Sequence, residues 1–129
     1  MTTRTIPAPL VYGYVCSSLD RPDFIGSCKD TLADWCVREG WRLGGVFTDV
    51  GAPQESVDRV AFSGLLDALN MPRAAGVVVV DGAHLSPRAE IVFRLVRQIR
   101  QRNAAVLVMD GGLPTAAERL CRGQAVTPA

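Results

Sequence analysis

The sequence predicts a three-layer α/β fold with a mainly parallel sheet of four to five strands and right-handed crossovers. Four consecutive valines, Val77–Val80, lead into Asp81 and Gly82, and a β-branched run bounded by turn residues is typical of a strand buried on both faces. Strand and helix patterns alternate along the chain, without an internal repeat. The length of 129 residues suits one domain with its own core.

The first half of the chain contains two strand patterns and two helix patterns. Strands are predicted over Leu10–Val15 and over Trp41–Asp49, the second interrupted by two glycines. A helix is predicted to begin at Phe24 or Ser27 and to run to Glu39, with Gly40 as its stop, and a second to run from an Asp58 N-cap to Asn70. The second has an apolar face formed by Phe62, Leu65, Leu66 and Leu69.

The second half follows the same alternation. Ser86 is predicted to cap a helix that opens at Pro87 and runs to about Arg102. Ala104–Met109 is the next predicted strand, and Thr115–Cys121 a short helix. The long helix has an apolar face formed by Ile91, Val92, Leu95, Val96 and Ile99. We therefore divide the chain into an arm over residues 1–9, a domain over 10–112 and a tail over 113–129.

Composition excludes several classes of function. The net charge of +1 gives no global electrostatic reason to bind nucleic acid or an anionic membrane. No apolar run is long enough for a membrane span, and the first residues lack a signal-peptide core, so we expect a cytoplasmic protein without membrane contact. The four cysteines lack Cys-x-x-Cys spacing and there is one histidine, which indicates reduced thiols, no zinc and no cofactor.

Four segments in register resemble the catalytic domain of the serine recombinases, the resolvases and invertases, over about residues 10–115. They are Gly13–Ser18, Val46–Asp49, Asp58–Phe62 and the central strand with the residues that follow it, His84 and Leu85. In that family the first strand ends in Tyr-x-Arg-x-Ser, and its serine attacks a DNA phosphate to form a covalent phosphoserine link. The resemblance places this nucleophile on Ser18 and one active-site arginine on Arg59.

This chain differs from the family pattern at positions where the family has charged side chains. Cys16 replaces the arginine of the first motif. The family's Asp-Arg-Leu-x-Arg segment is Ala83-His84-Leu85-Ser86-Pro87 here, so a carboxylate and two more guanidinium groups are absent, and Arg88 comes one position late. Without a metal, charge on the phosphorus centre must be held by positioned donors, and losing one such donor costs roughly 3–4 kcal/mol of barrier. We therefore expect no strand transfer by this chain alone.

Each candidate residue also has a structural interpretation. Ser18 is either a remnant nucleophile or a loop serine that caps a turn, and Cys16 is either a reactive thiol or a buried inert one, the second being favoured. Arg59 is either an anion contact at a helix start or a surface arginine paired with Asp58 or Glu55. For Asp49 and Asp81, turn and capping roles are favoured over a metal or phosphoryl-acceptor role. Three arginines form a basic stripe on the long helix, either a solvated face or a DNA contact: Arg94, Arg97 and Arg100.

These observations favour a degenerate serine-recombinase-like domain that acts by binding, as a homodimer or as a hetero-oligomer with another protein. One alternative is a protein that still binds DNA, or that modulates an intact recombinase through mixed oligomers. Another is an active recombinase that uses Ser18 with His84 or a partner's arginine completing the charge set. The family resemblance also implies a long helix and a DNA-binding domain after the catalytic domain. The chain stops before them, which we expect of a retained scaffold.

Overall fold

The computed structural model describes residues 8–51 and 56–124, which form four strands and four α-helices. The order along the chain is β1, α1, β2, α2, β3, α3, β4, α4. The strands are β1 Leu10–Ser17, β2 Arg42–Val50, β3 Ala74–Val79 and β4 Ala105–Val108. The helices are α1 Pro22–Glu39, α2 Val60–Leu69, α3 Ala89–Arg100 and α4 Thr115–Leu120. A 3₁₀ turn, Gly82–His84, follows β3.

The sheet has the order β2-β1-β3-β4, and every pairing within it is parallel. Alternate residues of β1 serve opposite faces: Val11 and Val15 pack with α1, whereas Tyr14 packs with α2 and α3. The connection from β1 to β2 runs toward one edge of the sheet, and its helix α1 lies on one face. The connections from β2 to β3 and from β3 to β4 run toward the other edge, and their helices α2 and α3 lie on the opposite face. All three crossovers therefore share one hand, which in parallel βαβ units is almost always right-handed. The predicted three-layer fold is confirmed.

The apolar faces predicted for α2 and α3 are buried as expected, and Gly40 ends α1 in the left-handed conformation with φ of 81°. The short helix predicted near residue 115 also forms. It packs against α3 with Ala117 fully buried, while the Gln124 side chain exchanges two hydrogen bonds of 3.1 Å with the backbone of Val106 on the outer edge of β4. This contact covers part of an exposed sheet edge.

Several predicted boundaries are wrong by one to five residues. Cys16 and Ser17 belong to β1 rather than to a loop, because β2 continues far enough to pair with both. Helix α1 already begins at Pro22, where the proline occupies the first turn and needs no amide partner. Helix α3 begins at Ala89 and ends at Arg100, so Pro87 lies outside it. Residues 1–7, 52–55 and 125–129 of the predicted arm, loop and tail lie outside the described residues.

Candidate functional site

The carboxyl ends of β1 and β3 bring together the positions of the first family motif and of the segment after the central strand. A cleft of about 220 Å³ opens there, and its walls include Cys16, Ser18, Phe24, Asp81 and His84. Ala83 and Arg21 also line it. Four of the sequence-predicted positions therefore meet at the sheet edge where parallel α/β folds usually place ligands, namely Cys16, Ser18, Ala83 and His84, whereas Arg59 and Pro87 line other clefts.

His84 occupies the position of a family arginine but is buried, with 5% of its surface exposed. The backbone amide of Cys16 donates a hydrogen bond of 3.1 Å to its Nδ1. Its Nε2 lies 3.9 Å from the Cys28 sulfur, and its ring stacks on Phe24 with centroids 6.1 Å apart. An amide can only donate, so Nδ1 must be unprotonated and the proton of the neutral ring belongs on Nε2.

The environment of His84 also disfavours its charged form. Burial lowers the pKa of this imidazole from its usual value, and the nearby Asp81 carboxylate opposes that effect without reversing it. A protonated Nδ1 would in addition face the Cys16 amide donor. The interpretation in which His84 completes the charge set therefore requires a protonation state that this geometry works against at neutral pH.

A second buried network holds the retained family arginine. Tyr14 donates a hydrogen bond of 2.6 Å from its hydroxyl to Oδ2 of Asp49, and Arg59 donates from a terminal nitrogen to the Tyr14 hydroxyl at 3.4 Å. Arg59 also donates to the backbone oxygens of His84, at 3.4 Å, and of Ser56, at 3.0 Å. Burial, followed by the hydrogen bond to Asp49, raises the pKa of Tyr14, which keeps its hydroxyl protonated as the donor.

Arg59 is therefore not a surface arginine, because only 4% of its surface is exposed to solvent. Its guanidinium binds two backbone carbonyls and a tyrosine hydroxyl, so its position is fixed by groups of the protein itself. Of the pairings that we considered, the one with Glu55 lies outside the described residues, and the salt bridge found within them joins Arg88 to Glu90.

Asp49 has a role that the sequence assigned to Asp58. Its two carboxylate oxygens accept hydrogen bonds from the amides of Ala61, at 2.8 Å, and Phe62, at 3.0 Å, in the first turn of α2. These amides have no partner within the helix, and a carboxylate there also interacts favourably with the helix dipole. The predicted Asp58 cap is wrong, because α2 starts after Arg59 and a residue from β2 already satisfies its free amides.

The two serines that follow Cys16 differ in environment. Ser17 is buried, and its hydroxyl donates a hydrogen bond of 2.6 Å to the backbone oxygen of Leu19. Ser18 is exposed at the mouth of the cleft. The turn-forming role that we considered for Ser18 therefore belongs to its neighbour, and the position of the family nucleophile remains accessible.

The other substituted positions supply no replacement charge. Arg88, one residue late, forms a salt bridge with Glu90 at the exposed start of α3 and does not turn back toward Ser18. Pro87 lines a different cleft, between the ends of β3 and β4. Asp81 accepts a hydrogen bond of 2.9 Å from the Ala83 amide, which is a capping role in the 3₁₀ turn.

The basic stripe on α3 is shorter than predicted. Arg94 and Arg97 are exposed, but Arg100 is half-buried and donates hydrogen bonds to the backbone oxygens of Leu120, at 2.9 Å, and Ala104, at 3.0 Å. Arg100 thus holds α4 and the start of β4 against α3.

Other classes of site find no counterpart in the described part of the chain. No three histidine, cysteine or acidic side chains converge there as a metal site would require. Cys16, Cys28 and Cys36 are buried free thiols, and Cys121 is a half-buried one. No helix among these residues has both the length and the apolar character needed to cross a membrane.

Comparison with known proteins agrees with this architecture. A family model described as the N-terminal domain of resolvases matches residues 11–123. A search of curated proteins finds no match.

Several solved structures share the fold. The N-terminal catalytic domain of TP901-1 integrase is 19% identical, with a TM-score of 0.69 over 78% of this chain and 77% of that one. The C-terminal catalytic domain of ISC1926 TnpA, an IS607-like serine recombinase, is 14% identical, with a TM-score of 0.70 over 86% and 74%. A resolvase-family site-specific recombinase from Streptococcus pneumoniae is 13% identical, with a TM-score of 0.64 over 86% and 82%. Since the family model covers most of the chain, this protein belongs to the resolvase N-terminal domain family, the family of serine-recombinase catalytic domains.

Proposed function

We propose that this domain has lost DNA strand transfer and acts by binding a second protein chain, in the first instance another copy of itself. The observation that carries the first half of the proposal is the hydrogen bond from the Cys16 amide to Nδ1 of His84. It joins the backbone of one position where the family has an arginine to the side chain that stands at a second such position, and it favours the neutral form of the buried His84 ring.

The chemistry of phosphoryl transfer makes this substitution decisive. The transition state spreads negative charge over phosphate oxygens, and preorganised donors must hold that charge when no metal is present. The remaining family arginine, Arg59, is committed to protein oxygens, and the Arg21 guanidinium that lines the cleft beside Ser18 is accompanied there by the Asp81 carboxylate. Each absent donor raises the barrier by roughly 3–4 kcal/mol, although such losses do not simply add.

The binding half of the proposal is supported by apolar side chains that remain exposed at the same end of the sheet. Val50 pairs with Ser17 across β1 and β2, and Val60 lines a cleft with Val50. Leu19 is 66% exposed and Val60 90% exposed. We call Leu19, Phe24, Val50 and Val60 the carboxyl-edge surface. Of these residues, Val50 and Val60 line one cleft together, and adjoining exposed apolar groups on a small domain mark protein interaction sites.

Loss of strand transfer is tested by searching for the covalent intermediate. The purified chain is incubated with sheared DNA from its source cell, which contains every natural site, and then digested with nuclease. Mass spectrometry follows the peptide that contains Ser18, with the Ser18→Ala variant as control. We expect no nucleotide on that peptide. A nucleotide attached to Ser18, and absent from the variant, would show that the domain is an active recombinase.

Association is tested by sedimentation velocity over a range of protein concentrations. We expect concentration-dependent dimerisation that Val60→Gln weakens. Val37→Gln is the matched control, because Val37 is 81% exposed but lies on α1, outside the carboxyl-edge surface. A chain that stays monomeric at all concentrations, or that responds equally to both variants, would contradict association through this surface.

A second candidate function is DNA binding without cleavage, favoured by the exposed guanidinium groups of Arg94 and Arg97 on α3. Fluorescence anisotropy with a DNA duplex at several salt concentrations tests it. Binding that weakens steeply with salt and is reduced by Arg94→Gln with Arg97→Gln would support this candidate. No binding at low salt would exclude it.

A further inference from the structure

A cleft at the amino edge of the sheet lies at the opposite end from Ser18 and is lined by two arginines. It has a volume of about 270 Å³, and its walls are Ala8, Pro9, Leu10, Arg42 and Arg73. Ligand pockets in proteins typically measure roughly 300–1,000 Å³, so this cleft suits one small group rather than a large organic molecule.

The strand register places the two arginines on either side of β1. Leu10 pairs with Arg42 of β2 on one side and with Ala74 of β3 on the other. Because neighbouring strands lie about 4.8 Å apart, the backbones that carry Arg42 and Arg73 are separated by roughly 10 Å. Two long side chains starting at that separation can meet on one ligand.

The backbone that carries these arginines is held in place. The Arg42 amide donates a hydrogen bond of 2.9 Å to the Pro9 oxygen, and the amide of Ala74, next to Arg73, donates one of 3.1 Å to the Met71 oxygen. The Arg42 anchor lies at the start of β2, and the Ala74 anchor closes the turn that carries Arg73 directly before β3. Hydrogen-bonded backbone therefore carries both arginines at the start of the sheet.

The charge of this cleft is unbalanced among the residues that the structure describes. Arg42 and Arg73 are both exposed, and neither takes part in a salt bridge within residues 8–51 and 56–124. No carboxylate among the described residues lines the cleft. At the other end of the sheet, Arg21 and Asp81 both line the cleft beside Ser18, and Asp81 and Asp110 line the cleft between the ends of β3 and β4. Of these three clefts, the one at the amino edge is lined by arginines without a described carboxylate, which favours an anion there.

From this arrangement we infer that the Arg42–Arg73 cleft binds a phosphate group of a phosphate-bearing ligand. Guanidinium groups match phosphate oxygens with paired hydrogen bonds, and two of them can share one dianion. The phosphate belongs either to a small phosphorylated molecule or to a nucleic-acid backbone, which present the same chemistry. This site is separate from the family nucleophile, and it is independent of whether Ser18 is active.

The inference is tested by titrating the ¹⁵N-labelled full chain with inorganic phosphate and, separately, with a short DNA duplex. We expect phosphate to shift the amide resonances of Leu10, Arg42 and Ala74 while leaving that of Ser18 unchanged. The double variant Arg42→Gln with Arg73→Gln should weaken phosphate binding by about tenfold or more. The matched control is Lys29→Gln with Arg88→Gln, which removes the same charge from exposed positions outside the cleft and should change phosphate binding much less.

The titration with inorganic phosphate and the titration with DNA together identify which kind of ligand carries the phosphate. If the Arg42 and Arg73 variant weakens binding of both probes, the ligand is a nucleic-acid backbone; if it weakens phosphate binding alone, the ligand is a small phosphorylated molecule. The inference is overturned if phosphate shifts no resonance at the amino edge. It is overturned equally if both double variants weaken phosphate binding to the same extent, because the effect would then follow net charge.

Discussion

Replacing Asp49 with alanine removes three hydrogen bonds at once, and the structure separates their contributions. The carboxylate accepts from two amides in the first turn of α2 and from the Tyr14 hydroxyl. Loss of a helix cap costs about 1–2 kcal/mol, and a buried hydroxyl left without an acceptor costs about 1–3 kcal/mol more. We therefore expect Asp49→Ala to lower the free energy of unfolding by about 3 kcal/mol, a large part of the total for a domain of this size.

The Tyr14 contribution is isolated by a double-mutant cycle. Tyr14→Phe removes the hydroxyl but leaves Asp49 bound to both α2 amides, so it should cost about 1.5 kcal/mol. In that background Asp49→Ala should cost only the cap, because no hydroxyl is left unsatisfied. The cycle should thus show a coupling of about 1–2 kcal/mol between the two positions.

Urea denaturation of the four proteins measures these free energies. Asp58→Ala serves as the control, because Asp58 is the cap that the sequence predicts, and its side chain is exposed. We expect it to change stability by less than about 0.5 kcal/mol. Additive effects of the Tyr14 and Asp49 substitutions, or an Asp58→Ala cost equal to that of Asp49→Ala, would refute the reasoning.

Three further substitutions test the packing and the protonation state of the core. His84→Asn keeps an acceptor for the Cys16 amide but cannot titrate. Because the pKa of folded His84 lies below its usual 6.5, wild-type stability should fall as pH drops below about 6.5, and the variant should lose less when both are denatured in urea at pH 7 and pH 5. Gly76→Ala would place a Cβ 2.7 Å from the Ala105 oxygen and should cost about 2–3 kcal/mol. Gly26 lies inside α1 with open space around it, so Gly26→Ala should raise the free energy of unfolding by about 0.5–1 kcal/mol. Equal urea midpoints for the two glycine variants would contradict this description of the packing.

The local pattern of apolar residues along the sequence was sufficient to predict the layers of the fold. The run Val77–Val80 identified the central strand because a strand covered on both faces needs no alternation. Helices α2 and α3 were predicted because their apolar residues recur at helical spacing, and those residues are buried. The resemblance then placed Ser18 and His84 at one sheet edge, and both line one cleft.

The contacts that define the site depend on distances along the chain that local pattern does not encode. The cap of α2 comes from Asp49, which lies 12 and 13 residues before the amides it binds, whereas a sequence search for caps considers only neighbouring residues such as Asp58. The pairing of Cys16 with His84 spans 68 residues and depends on where β1 and the turn after β3 come together. The sequence shows a substitution at each of these positions, and the structure shows that the backbone of one contacts the side chain of the other.

Packed side chains surround His84, which stands where the family has an arginine. Phe24 stacks on its ring, and the Cys28 sulfur lies 3.9 Å from its Nε2. Arg59 joins the buried network of Tyr14 and Asp49 to the His84 backbone. His84 is therefore held inside the protein, while Ser18 stays exposed at the mouth of the cleft.

The protonation state of His84 tests most directly the proposal that this domain has lost strand transfer. His84 is the only histidine in the chain, so its ring nitrogen resonances need no assignment. We would record ¹⁵N spectra of the imidazole between pH 5 and pH 8. The predicted result at pH 7 is a neutral ring with an unprotonated, hydrogen-bonded Nδ1 and a titration midpoint below the usual 6.5. A ring protonated on both nitrogens at pH 7 would contradict it, because His84 would then add a positive charge to the cleft beside Ser18.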